Sequence, residues 1–71
     1  MTAKESVLSI YPTAREHAFS YGGQYLWCVR IYHTEGYAEW ETTLAEDYTQ
    51  ERVWERAWNI IQSQMLEKLE N

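Results

Sequence analysis

Two consecutive glycines, Gly22-Gly23, separate two stretches rich in aromatic and β-branched residues, Ala14–Tyr21 and Gln24–His33. Glycine reaches the positive φ that tight hairpin turns demand, so this pair predicts an antiparallel hairpin with a two-residue loop. A loop that short fixes which side chains share a face. Pairing Tyr21 with Gln24 puts His17 opposite Cys28 and Ala18 opposite Trp27. Glu35-Gly36 offers a second turn ahead of Tyr37–Leu44, and pairing Thr34 with Tyr37 there sets Ile31 opposite Trp40 and Trp27 opposite Leu44. One face then collects Ala18, Trp27, Val29, Ile31, Ala38, Trp40 and Leu44, a nearly apolar set suited to burial.

Beyond Leu44 the period becomes helical. Val53, Trp54, Ala57, Trp58, Ile61, Met65 and Leu69 recur at spacings of three and four, the stripe of an amphipathic helix that ends near Glu70. Asp47 or Thr49 can cap it, with Gln50 three residues after Asp47 as in a capping box. A helix of about 21 residues spans about 31 Å, more than the strands need, so Met65, Leu66 and Leu69 overhang the sheet. Val7, Leu8 and Ile10 fit either an edge strand or a short helical turn. The expected fold is therefore α+β, a single domain over residues 1–71, with a three-stranded antiparallel meander packed on one long C-terminal helix.

At 71 residues the chain sits near the lower limit for a fold without metals or disulfides. Four Trp and six Tyr supply the buried area that this size otherwise lacks. The single Cys28 cannot form an internal bridge, and the apolar run around Tyr25–Tyr32 is far below the roughly 20 residues that cross a bilayer. The expectation is an intracellular, reducing compartment, bacterial or phage cytoplasm, and no membrane partner.

Chemistry is hard to place on this frame. Cys28 and His33 stand five apart on one strand and point to opposite faces. His17 and Cys28 do share the outer face, yet no orienting third group or oxyanion loop accompanies them, and the spacing matches no zinc pattern. Gly22-Gly23 is too short to cradle a phosphate, and a sheet with one helix cannot build the cleft that a paired-carboxylate enzyme needs. The expectation is a protein without enzymatic activity, cofactor or metal.

One helix covers one side of a sheet. The other side is expected to present Arg15, His17, Phe19, Tyr21, Leu26, Cys28, Arg30, Tyr32, Glu39 and Glu41, aromatic and apolar groups among charges, as interface centres are composed. From Glu35 to Glu55 seven acids meet one base, Arg52, for a segment charge of −6 within a chain of net −5. Such a patch steers a basic partner, although acids near a helix start also serve its macrodipole. The candidate protein-binding residues are Phe19, Tyr21, Arg30, Tyr32, Glu39, Glu41, Glu46 and Asp47. The expected partner is a host protein with a basic surface, and the alternative is a second copy of the chain in a homodimer.

The order of elements is similar to the double-stranded-RNA-binding domain. That family presents a lysine cluster where this chain reads Glu46-Asp47-Tyr48-Thr49-Gln50-Glu51-Arg52, so nucleic-acid binding, the second alternative that this resemblance implies, ranks below the protein partner and the homodimer. Tyr11-Pro12-Thr13-Ala14, Tyr25-Leu26-Trp27-Cys28-Val29 and Thr49-Gln50-Glu51 followed by Val53-Trp54-Glu55-Arg56-Ala57-Trp58 resemble the small accessory proteins of tailed phages and prophages. Val53 stands where the likeness prefers alanine. The resemblance implies a factor that modulates or inhibits host machinery, including nucleic-acid-handling or defence complexes.

Overall fold

The computed structural model describes residues 1–70, the side chains of Tyr21 and Glu70 excepted. The elements run α1 (Ala3–Ile10), β1 (Arg15–Tyr21), β2 (Gln24–Glu35), β3 (Ala38–Asp47) and α2 (Gln50–Glu70), with the strands in the sheet order β1-β2-β3. The chain is thus α+β, a three-stranded antiparallel meander followed by a long helix, with a short helix in front.

The N-terminal segment, open between strand and turn in the sequence, is a helix with its own cap. Thr2 Oγ1 accepts the Glu5 amide at 3.1 Å, and its hydroxyl donates to the Glu5 carboxylate at 3.2 Å. These contacts satisfy one of the helix's orphan donors and place an acid in its first turn. At the far end Tyr11 N–H returns to the Val7 carbonyl at 2.8 Å. The helix lies against α2 and delivers Val7, fully buried, to the core.

The first hairpin has the expected register, Tyr21 with Gln24 and His17 with Cys28. Gly22 and Gly23 both take positive φ, 57° and 83°, as a type I′ turn requires. The second hairpin differs from the expectation. Glu35 pairs with Ala38, so the loop is Gly36-Tyr37, and Trp40 stands opposite His33 rather than Ile31. The cause is the hand of the turn. Gly36 is the residue with positive φ, 62°, and a hairpin that matches strand twist with one such residue needs it at the first central position. The expected pairing would have put it second, which splays the strands.

A slip of two residues keeps every side chain on its face, but a second irregularity does not. Between Val29 and Arg30 the register shifts so that Ala45, not Leu44, meets Val29, and Trp27 meets Asp47 rather than Leu44. The extra residue on β3 is a bulge. It turns Ala45 into the core and leaves Leu44 packed at its margin.

The core joins Val29, Ile31 and Ala45 of the sheet to Val53, Trp54, Ala57 and Ile61 of α2, with Val7 and Ala14 beside them. Coverage stops at Ile61. Met65, Leu66 and Leu69 are exposed, the last at 83%, as the overhang predicts. At the β2–β3 tip Trp40 lies on the helix-facing side yet remains half exposed, stacked on His33 with ring centroids 5.2 Å apart. No helix among the described residues is long and apolar enough to cross a membrane.

Candidate interaction face

The sheet surface away from the helices is built by alternation. β1 contributes Arg15, His17 and Phe19, β2 contributes Leu26, Cys28, Arg30 and Tyr32, and β3 contributes Glu39, Glu41 and Glu46. In cross-strand rows, His17 meets Cys28 and then Glu46, while Tyr32 meets Glu41.

These side chains lie on one another. Arg30 sets its guanidinium over the Phe19 ring at 5.2 Å and pairs Nη1 with Glu41 Oε1 at 3.0 Å. Arg15 lies over Tyr32 at 5.8 Å. The His17 ring stacks on Phe19, and its Nε2 is 2.8 Å from the Tyr32 hydroxyl. Each such contact contributes about 0.5–1 kcal/mol at a surface, but together they hold the rings in one arrangement. Cys28 lies on this same face, which no helix covers, and is 3% exposed. The face is less bare than the sequence suggests. Phe19 stays 46% exposed, whereas Tyr32 and Leu26 are half-buried. Arg30 Nε is buried without a hydrogen-bond partner.

Of the candidate residues, Phe19, Arg30, Tyr32 and Glu41 come together, with Glu39 and Glu46 along the same β3 flank. Tyr21 keeps its strand position opposite Gln24, and its side chain lies outside the described residues. Asp47 does not belong to the face. It ends β3 opposite Trp27 on the helix side, accepts the Tyr48 amide at 2.7 Å and pairs with Arg56 at 3.5 Å. The bulge puts it there by reversing the alternation of β3. Thr49 is the cap of α2, its Oγ1 accepting the Arg52 amide at 3.2 Å.

A polar junction that the sequence reading missed lies under the helices. Glu16 Oε2 accepts from Gln50 Nε2 at 2.7 Å and from Trp54 Nε1 at 3.1 Å, and its Oε1 lies 3.6 Å from Lys4 Nζ. Lys4 in turn sits over the Trp54 ring at 5.5 Å. Partial burial pushes the Glu16 carboxyl up, but these hydrogen bonds and the Lys4 charge outweigh it, and its pKa lies below the ordinary carboxylate value. One carboxylate thus ties α1, β1 and α2.

His17 Nε2 is engaged by Tyr32, His33 is on the opposite side against Trp40, and no three of the described His, Cys, Asp or Glu residues converge as metal ligands would. No protein-family model, curated protein or solved structure matches the chain.

Proposed function

We propose that this chain is a protein-binding module without enzymatic activity, of the accessory kind carried by phages and mobile elements. In this reading it docks a basic host protein on its outer sheet face and modulates or inhibits the complex to which that protein belongs. The observation that carries the reading is the locked set of Phe19, His17, Arg30 and Tyr32 on the side of the sheet that no helix covers. Rings already held in place lose little entropy on binding, and an exposed aromatic beside an arginine is the composition of an interface centre. Glu39, Glu41 and Glu46 flank that centre on the β3 side and give the partner's rim its sign. The same acids oppose a nucleic-acid ligand.

Capture from bacterial lysate with the wild-type chain and a Phe19→Ala/Glu41→Lys variant tests this. The reading requires a partner held by the first and lost by the second at an unchanged melting temperature. Equal capture by both overturns it.

A homodimer is the second reading, favoured by the charge pattern of this face. Arg15 lies on β1 and the acids on β3, so a copy turned about the strand direction sets each stripe against its opposite. Light scattering across a concentration series separates the two, since a foreign partner requires a monomer with its face free.

A further inference from the structure

At the Gly22-Gly23 end of the sheet, the start of β2 lies beside the β3–α2 junction, and two tyrosines there are left largely in solvent. Tyr25 is 63% and Tyr48 is 67% exposed, and neither ring stacks on another aromatic among the described residues. Both border the same two adjoining clefts. One is completed by Trp27, Gln24 and Gln50, the other by Leu26 and Gly22. On the far side of Tyr48 a third depression is lined by Leu26, Glu46, Asp47 and Arg56. Tyr48 is therefore a ridge among three hollows.

We propose that this surface is a docking groove for an extended, proline-rich peptide with a basic flank. A polyproline II segment carries no internal hydrogen bonds and turns its carbonyls outward. It is recognised by aromatic ridges whose hollows take prolyl rings and by fixed donors that meet those carbonyls. Tyr25 and Tyr48 supply the ridges, and Gln24, which lines both clefts, and Trp27, which lines one, are residues whose side chains carry N–H donors. The Gln50 amide is already pinned on Glu16 at 2.7 Å, which holds that wall still.

Charge selects the flank. Arg56 is met by Asp47 at 3.5 Å, while Glu46 is exposed and forms no ion pair among the described residues. The third hollow is thus acidic on balance and suits a lysine or arginine beyond the prolines. A single nucleic-acid strand also stacks on exposed aromatics, but it needs a cationic groove, and this one has the opposite sign. The groove shares Leu26 and Glu46 with the outer sheet face, but Phe19, His17, Arg30 and Tyr32, which carry the reading given above, do not line it.

The test is a titration of the 15N-labelled protein with a proline decamer ending in two arginines, read by amide and indole NMR shifts. A peptide with the same arginines and a Gly/Ser body is the control. The proposal requires saturable shifts at the Trp27 indole and the amides of residues 24–27 and 47–50 with the proline peptide only. It requires a loss of affinity of about tenfold or more in Tyr48→Ala, the size expected of an aromatic anchor, with Tyr48→Phe near wild type. Tyr25→Ala serves as a second variant should Tyr48→Ala lose its amide dispersion. Absence of saturation at millimolar peptide, an equal response to the Gly/Ser peptide, or indifference to both alanine variants overturns it. Phe19→Ala leaves the titration unchanged, which keeps this result independent of the sheet-face partner.

Discussion

The indole N–H of Trp54 donates to the carboxylate of Glu16 at 3.1 Å, across 38 positions of sequence, and this contact fixes where α2 starts on the sheet. Trp54 is 4% exposed. A buried indole without an acceptor costs about 1–3 kcal/mol, so Glu16 is needed by the core that it borders. Glu16→Ala is expected to lower stability by about 1–3 kcal/mol, measured by chemical denaturation.

The same carboxylate gives a pH dependence with a definite sign. Its folded pKa is depressed, so its contribution is fully present above the unfolded value and is lost as pH falls through the folded one. Stability of the wild-type chain should therefore fall on acidification below the ordinary glutamate range. In Glu16→Gln, which keeps an acceptor for Trp54, the fall should be shallower. Parallel acid limbs for the two proteins would show that the lowered pKa has no thermodynamic consequence.

Gly36 is held at φ 62° with no atom within 4 Å of where a Cβ would stand. Substitution there meets backbone strain and no clash. Gly36→Ala is expected to cost about 1 kcal/mol, and Gly36→Asn less, because asparagine tolerates the left-handed region. Equal losses would mean that the turn does not depend on this φ.

Along α2, the core ends where the sheet ends. Ile61, 2% exposed, should cost about 2–5 kcal/mol on replacement by alanine. Leu69, 83% exposed, should cost less than about 0.5 kcal/mol. A large loss at Leu69 would place a self-association contact on the overhang, since nothing within the monomer touches it strongly enough to explain one.

What could be read in advance follows from how local each signal is. The Gly22-Gly23 loop sits inside its own four-residue turn, and the Val53–Ile61 stripe repeats within its own helix, so both were legible. Thr2 and Glu5 stand at capping-box spacing, which is equally local, but the apolar residues of α1 also fit a strand. At the second turn a lone glycine serves two loop placements two residues apart in register, and only the twist of the paired strands separates them. The Leu44 bulge has no local signature. It sets the side on which Asp47 falls. The outer-face residues were identified by alternation alone, whereas their mutual packing required the register and the rotamers together. The role of Glu16 has no local signal, because a single acid in a strand looks like a solvated one until α2 is laid across it.

The cover over Cys28 provides a direct reading of the outer face. The thiol is 3% exposed although no helix lies above it, and its cross-strand neighbour is His17, whose ring is held by Phe19 on one side and by the Tyr32 hydroxyl at 2.8 Å on the other. Cys28 is therefore expected to react with a thiol reagent only when the side chains part, a local opening far less costly than unfolding. His17→Ala removes both the direct neighbour and the link between Phe19 and Tyr32, and should speed modification by at least about tenfold, an opening made easier by about 1.4 kcal/mol. Its melting temperature should shift little, because His17 contributes nothing to the core under α2. Partner binding at this face should slow the wild-type reaction. An unchanged rate in His17→Ala would mean that the strand backbone, and not this layer of rings, shields the sulfur.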